Sequence, residues 1–240
     1  MILINGGIPR SGTVLVCAVL RALLEARGMA PEVCNPSDGW QLDALLERDG
    51  LGAERPVLIH THHCTGTLLT RLRAGEIRLC LWNHREPRDA LVSLIALHDL
   101  DFETGLAALR QYLAMRDHIV AAGLATPLAY ERIVADRRGL IRALAQMLHL
   151  EIGRKEVEAI ADQTDIARHR SLMPCSAQPG QPIRRIKTRF REVLEDPQTL
   201  LNDRHIQSGR AGRWRSDLPR THHAQAAQEL WPWIDALGYA

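Results

Sequence analysis

Apolar residues along the first 150 positions form short runs that alternate with longer segments of helical period. Longer segments with leucines at helical spacing cover residues 13–27, 87–97, 102–122 and 133–150. The short runs have the length of buried strands and cover residues 1–5, 57–62, 78–84 and 126–130. Strands that alternate with helices predict a parallel sheet covered on both sides. We therefore predict one α/β domain with a central, mainly parallel sheet of about five strands, flanked by helices.

The periodicity weakens beyond about residue 165. Residues 168–203 contain four prolines and many arginines, a composition that favours irregular structure. We predict that residues 165–205 form an irregular lid or acceptor-binding segment within a single domain spanning residues 1–240. A further helix is predicted at residues 221–237.

Composition narrows the possible partners and compartments. The 30 Lys and Arg residues nearly balance 28 Asp and Glu, giving a net charge of +2, so we expect no general binding to nucleic acid or anionic membrane. No run approaches the ~20 apolar residues of a membrane span, and the N-terminal run lacks a basic region. The five cysteines are scattered without CxxC spacing. We expect a cytoplasmic protein.

The first strand is followed by the loop GIPRSGT, which leads directly into a helix. Amides and the dipole at a helix start favour a bound phosphate or sulfate. Gly7 and Gly12 have the spacing of the two glycines in GxxxxGK[ST], but Thr13 and Val14 stand where the lysine and hydroxyl residue belong. The strand, loop and helix resemble those of the P-loop nucleotide-binding proteins. Because the lysine is missing, however, the interpretation as a kinase or ATPase loses its main support. The cation of this loop is Arg10 instead. A plain Gly-Pro turn with a solvated Arg10 is the alternative.

The third strand is followed by a second candidate anion site, RxPRDxxxS, which runs from Arg85 to Ser93. Arg85 leaves the strand end with a planar guanidinium that suits a phosphate. Ser93 lies two helical turns further along, where its hydroxyl could reach the same anion. A strand-end arginine before a helix that starts at proline is the alternative interpretation.

Together, PRSGT and RxPRDxxxS resemble the motifs of the cytosolic sulfotransferases that depend on 3′-phosphoadenosine 5′-phosphosulfate (PAPS). Two more stretches fit in order: LAYERIV is similar to the family's YEDLV element, and HIQSGRAGRWR is similar to its glycine-rich RKGxxGDW segment. The resemblance implies transfer of a sulfuryl group from PAPS to a hydroxyl or amine of a small-molecule acceptor. The product nucleotide is then PAP, and no metal is required.

The resemblance also assigns binding residues. It implies that the 5′-phosphosulfate is held by Arg10, Ser11, Gly12 and Thr13, the 3′-phosphate by Arg85 and Ser93, the adenine by Tyr130, and the nucleotide further by Gln207, Ser208 and Gly209. Three positions depart from the family pattern, namely Val14, Leu15 and Gln207, and the last removes one expected charge. These departures leave a non-catalytic PAP- or PAPS-binding protein as the alternative to an enzyme, beside a P-loop kinase.

The second strand ends in the histidine-rich sequence IHTHH. Histidine titrates in the range needed to take a proton from an acceptor hydroxyl. Strand alternation predicts that His60 and His62 share one face while His63 lies on the other. Similarity to the family's KTH element implies that His62 is the base, acting with Arg10, and that His60 replaces the lysine. A zinc site and a structural cluster remain alternatives, and the choice among the three histidines stays open.

The two-motif arrangement predicts that PAP binds more tightly than AMP, since Arg85 and Ser93 would contact the 3′-phosphate. A charge-assisted hydrogen bond contributes roughly 1.5–3 kcal/mol, so calorimetry should show about ten- to a hundredfold higher affinity for PAP. Equal affinities for the two nucleotides would contradict the assignment of this site.

Overall fold

The computed structural model describes residues 1–165, 184–187, 192–195 and 210–240. Of the predicted site residues, Gln207, Ser208 and Gly209 lie outside these ranges. Five strands form one sheet in the order β2-β3-β1-β4-β5, and every neighbouring pair is parallel. The strands are β1 (Ile2–Gly7), β2 (Glu32–Cys34), β3 (Val57–Thr61), β4 (Leu79–His84) and β5 (Thr126–Ala129). The predicted fold class is confirmed.

Helices connect and cover these strands. Eight precede the described pair of later strands: α1 (Thr13–Glu25), α2 (Gly39–Leu46), α3 (Gly66–Arg73), α4 (Pro87–His98), α5 (Phe102–Ala121), α6 (Tyr130–Ala135), α7 (Arg137–Met147) and α8 (Arg154–Gln163). A short antiparallel pair follows, β6 (Arg184–Lys187) and β7 (Glu192–Glu195). The described chain continues through α9 (Trp214–Asp217), a 3₁₀ turn (Arg220–His222) and α10 (His223–Ala236).

The core is divided between the two faces of the sheet. Alternate strand residues, including Leu3, Leu58 and Leu81, face α1, α7 and α8. Their neighbours, including Ile59 and Trp82, pack with α2, α3 and the second half of α5. A third apolar cluster joins α4, the first half of α5 and α10. This alternation follows from the pleat of each strand and covers the sheet on both sides.

Several boundaries differ from the predicted ones. The fourth predicted strand ends at Ala129, and Tyr130 begins a helix instead. The helix predicted at residues 133–150 is two helices, because Asp136 leaves helical geometry and its carboxylate accepts a hydrogen bond from the Gly139 amide at 2.8 Å, which caps α7. The pattern missed β2, α2, α3, α8 and α9. Most of the segment predicted to be an irregular lid, residues 165–205, lies outside the described ranges; the described part of it contains β6 and β7, which the pattern did not predict.

The carboxyl ends of β1, β3 and β4 meet at one edge of the sheet, where the end of β1 lies against β4 with no room for a side chain. The amide of Ile8 donates to the carbonyl oxygen of Asn83 at 3.0 Å. A Cβ atom on Gly7 would lie 2.6 Å from that same oxygen, and one on Gly6 would lie 2.4 Å from the Trp82 ring. The loop after β1 therefore starts in direct backbone contact with β4.

Among the helices of the described residues, none is both long enough and apolar enough to cross a bilayer.

Replacing Gly7 with alanine should destabilise the protein, because the new methyl group meets backbone atoms of Asn83 that cannot move aside. We expect Gly7→Ala to lower the free energy of unfolding in urea by about 1–3 kcal/mol. Gly66 is a matched control: it opens α3, and a Cβ there meets no atom within 4 Å. Gly66→Ala should leave stability unchanged or slightly raised; equal losses in both variants would refute the role of the close approach.

Candidate active site

The loop between β1 and α1 has the backbone of an anion-binding turn. Arg10 and Gly12 both adopt left-handed conformations, with φ of 71° and 82°. No side chain of the described residues caps the start of α1, whereas Asp38, Thr65 and Asp101 cap the starts of α2, α3 and α5. The hydroxyl of Ser11 is buried and donates to the carbonyl oxygen of Ile8 at 2.6 Å. Ser11 therefore braces the loop with its side chain, and its amide is the group that could hold an anion.

Arg10 joins the two predicted anion sites. Its Nε–H donates to the hydroxyl oxygen of Ser93 at 2.8 Å, across 83 residues of sequence. Burial and the positive charge of neighbouring Arg85 lower the pKa of Arg10 to about 10. The guanidinium nevertheless stays charged at neutral pH. The first and second motifs thus form a single positively charged site.

Arg85 is almost completely buried, with 3% of its surface exposed. Its guanidinium carbon lies 4.4 Å from the centroid of the Tyr130 ring, within cation–π range. Its Nη2 lies 3.2 Å from the carbonyl oxygen of Arg210 and 3.5 Å from Oδ2 of Asp89. The Nε of Arg85 is buried and finds no hydrogen-bond acceptor among the described residues. A buried donor without an acceptor is costly, so this atom fits a site that takes its acceptor from an anionic ligand.

Asp89 connects the second motif to the fourth. Its buried carboxylate accepts hydrogen bonds from the amides of Gly212 at 2.7 Å and Trp214 at 2.9 Å. The indole of Trp214 also lies against two guanidinium groups, 4.2 Å from that of Arg88 and 4.6 Å from that of Arg215. The described end of the glycine-rich segment is therefore held beside Arg85.

Tyr130 brings the third motif to the phosphate loop. A Cβ atom on Gly12 would lie 3.0 Å from Cδ2 of the Tyr130 ring. Gly12 is thus needed twice, for its left-handed backbone and for the space that the ring occupies. Because the same ring supports the guanidinium of Arg85, Tyr130 lies between the two predicted anion sites.

The three histidines after β3 have different partners. The Nδ1 of His60 lies 2.9 Å from Oδ1 of Asn35, and its Nε2 lies 2.9 Å from the Thr13 hydroxyl. Both ring nitrogens of His60 are therefore engaged, and the Thr13 side chain is engaged with them. The Nε2 of His63 lies 3.1 Å from the carbonyl oxygen of Ser37. His60 and His63 tie the segment after β2 to the end of β3.

His62 has the arrangement expected of a general base. Its Nδ1 lies 2.8 Å from the carbonyl oxygen of Gly7; a carbonyl only accepts, so Nδ1 carries the proton and Nε2 keeps its lone pair. The His62 ring is 4.9 Å from that of His60 and 6.4 Å from that of Tyr112, measured between centroids. Burial lowers the pKa of His62 to about 4; the hydrogen bond to Gly7 opposes this shift, and the neighbouring His63, His98 and Arg10 add to it. His62 is thus neutral at pH 7.

A zinc site at this cluster finds no support in the geometry. The part of the chain that the structure describes contains no group of three or more His, Cys, Asp or Glu side chains arranged to hold a metal ion.

Sequence reasoning missed several residues of this site. Asp89 belongs to the second motif, and its carboxylate beside a conspicuous arginine was the available signal. No sequence signal pointed to Asn35, which lies in the short connection after β2. None pointed to Tyr112 either, which lies in the amphipathic helix α5. Of the predicted residues that the structure describes, it brings together Arg10, Ser11, Gly12, Thr13, His62, Arg85, Ser93 and Tyr130.

Solved structures with bound PAP share this fold. A mouse sulfotransferase, SULT7A1, complexed with PAP gives a TM-score of 0.68 at 13% identity, over 98% of this chain and 84% of that chain. Retinol dehydratase with androsterone and inactive cofactor PAP gives 0.61 at 14% identity, over 97% and 80%. Retinol dehydratase with retinol and PAP gives 0.59 at 14% identity, over 97% and 81%. No protein family profile and no curated protein sequence matches the chain. The chain therefore has the sulfotransferase fold, as the resemblance of its motifs implied.

Proposed function

We propose that this protein is a PAPS-dependent sulfotransferase that acts on a hydroxyl or amine of a small-molecule acceptor and releases PAP. The observation that carries the proposal is the convergence of Arg10, Arg85 and His62 at one edge of the sheet. Two arginines beside an uncapped helix start suit a nucleotide with anionic groups at both its 3′ and 5′ positions. A neutral histidine with an available nitrogen suits removal of an acceptor proton.

The side chains fit the donor at both of its anionic ends. Arg85 offers an Nε–H that lacks an acceptor, and Tyr130 offers an aromatic face beside it. Arg10 and the amides after it offer positive charge where the loop enters α1. PAPS supplies an activated sulfuryl group whose leaving group is a phosphate. Binding it requires no metal in this proposal, because the positive charge comes from arginine and backbone dipoles.

Within this proposal the roles of the residues follow from their contacts. Arg10 stabilises negative charge that develops on the leaving phosphate, because its guanidinium is partly desolvated and stays charged. His62 takes the acceptor proton at Nε2 while the Gly7 carbonyl holds its Nδ1–H and fixes the ring. Tyr112 lies beside the His62 ring and borders the space that an acceptor enters.

The neighbours support a small-molecule acceptor, since retinol dehydratase has been crystallised with androsterone and with retinol. The direct test is a screen of pooled metabolites with sulfur-labelled PAPS. We expect acceptor-dependent transfer of label together with release of PAP. Tight PAP binding without transfer to any acceptor would instead indicate a non-catalytic PAP- or PAPS-binding protein. Transfer from ATP without PAPS would indicate a kinase.

If His62 is the general base, His62→Ala should lower kcat by roughly 10²–10⁴-fold, the usual contribution of such a group. PAP affinity should hardly change, because the imidazole faces the acceptor. Arg10→Ala should weaken donor binding and lower kcat together. His63→Ala is the matched control, since its ring is held by Ser37, and it should retain most activity. Full turnover in His62→Ala, or loss of activity on chelation, would contradict this assignment.

The pH dependence gives an independent test of the base. Burial lowers the pKa of His62 to about 4, so the base-competent neutral form persists down to that pH. We expect the acid limb of kcat/KM for PAPS, which reports the free enzyme, to fall near pH 4 instead of near the ordinary imidazole value of about 6.5. His62→Ala should abolish the limb. A wild-type limb near pH 6.5 would point to a more exposed histidine.

A further inference from the structure

A carboxylate on α6 connects the segment after α10 to the turn that carries Arg85. Glu131 follows Tyr130 directly in sequence. Its Oε1 accepts a hydrogen bond from the amide of Glu86 at 3.1 Å, and its Oε2 accepts one from the hydroxyl of Tyr239. The amide of Glu86 belongs to the peptide bond that joins it to Arg85. Glu131 therefore holds the peptide next to Arg85 and depends in turn on Tyr239.

The turn around Arg85 is fixed from a second side as well. The carboxylate of Glu86 accepts from the Asp89 amide at 2.8 Å, which caps α4, and from Arg88 Nε at 2.6 Å. The bond from Glu86 to Glu131 ties this capped turn to α6, where Tyr130 supports the Arg85 guanidinium. The Glu131 carboxylate thus adds a side-chain link between the Arg85 turn and α6, beside the strand pairing that sets His84 next to Ala129.

Tyr239 is itself well ordered by local structure. Gly238 adopts a left-handed conformation with φ of 74°, and the amide of Tyr239 donates to the carbonyl oxygen of Ile234 at 2.8 Å, as at many helix ends. Its ring packs on the cluster formed by α4, α5 and α10. Burial and the adjacent Glu131 carboxylate raise the pKa of Tyr239. The hydroxyl therefore stays protonated and remains a donor to Glu131.

We propose that Tyr239 is a positioning residue for the nucleotide site: through Glu131 it fixes the Arg85 turn against Tyr130. This inference rests on the proposed function, because it assigns Arg85 to the 3′-phosphate. Without the hydroxyl, the Glu131 carboxylate keeps the hydrogen bond from the Glu86 amide but loses the one from Tyr239. The Arg85 turn then gains freedom, and contact with the 3′-phosphate weakens first.

The test compares PAP and AMP binding by calorimetry in Tyr239→Phe, which keeps the packed ring. PAP affinity should fall about three- to tenfold, which corresponds to the contribution of one hydrogen bond. AMP affinity should stay unchanged. Trp233→Phe is the matched control: it removes the bond from Trp233 Nε1 to Asp117 Oδ2 at 2.7 Å, which anchors the same helix to α5. The PAP-to-AMP ratio should stay at the wild-type value in this control. A general loosening of α10 would move both variants alike.

A second variant tests the path through the carboxylate. Glu131→Gln should reduce the same ratio, and combining it with Tyr239→Phe should add little, since both changes act on one connection. An unchanged ratio in Tyr239→Phe and Glu131→Gln, or an equal loss in Trp233→Phe, would overturn the inference and leave the proposed function standing. A wild-type protein that does not prefer PAP over AMP would overturn both.

Discussion

The last residue of β1 holds the site together through its backbone. Gly7 lies against Asn83 so closely that no side chain fits between the strands, and its carbonyl oxygen accepts the Nδ1–H of His62. From this contact the loop turns towards α1 and brings Arg10 to Ser93. The position of the candidate base and that of the loop cation therefore depend on the same close approach of two parallel strands.

The charges at this edge are balanced in a way that favours an anionic ligand. Arg10 and Arg85 lie near enough for the second to lower the pKa of the first. Asp89 is buried beside Arg85, and its two carboxylate oxygens accept hydrogen bonds from the Gly212 and Trp214 amides. The positive charges of the two arginines repel each other, and an anionic ligand between them would offset this repulsion. Ligand binding should thus be coupled to folding stability.

The central sheet and the location of the candidate site could be predicted from sequence, because the candidate residues directly follow the predicted strands. Buried parallel strands are short apolar runs, and the residues that follow them must meet at one edge of the sheet. Long-range pairings carry no such local signal. The hydrogen bond between His60 and Thr13 shows that His60 is engaged within the protein, which distinguishes it from His62. No rule based on residue spacing predicts this bond. The break between α6 and α7 depends on Asp136 acting as a cap, which competes with an otherwise continuous helical pattern.

The contacts of Asp89 and Glu131 with later residues determine how late in synthesis the surroundings of Arg85 can be completed. Arg10 and Arg85 emerge early from the ribosome, but the amides of Gly212 and Trp214 and the hydroxyl of Tyr239 follow more than a hundred residues after Arg85. Until then the buried carboxylate of Asp89 lacks its donors. A nascent chain that stops before residue 212 contains all five strands of the central sheet but lacks the amides that satisfy the Asp89 carboxylate. The surroundings of Arg85 are therefore completed only when synthesis is nearly finished.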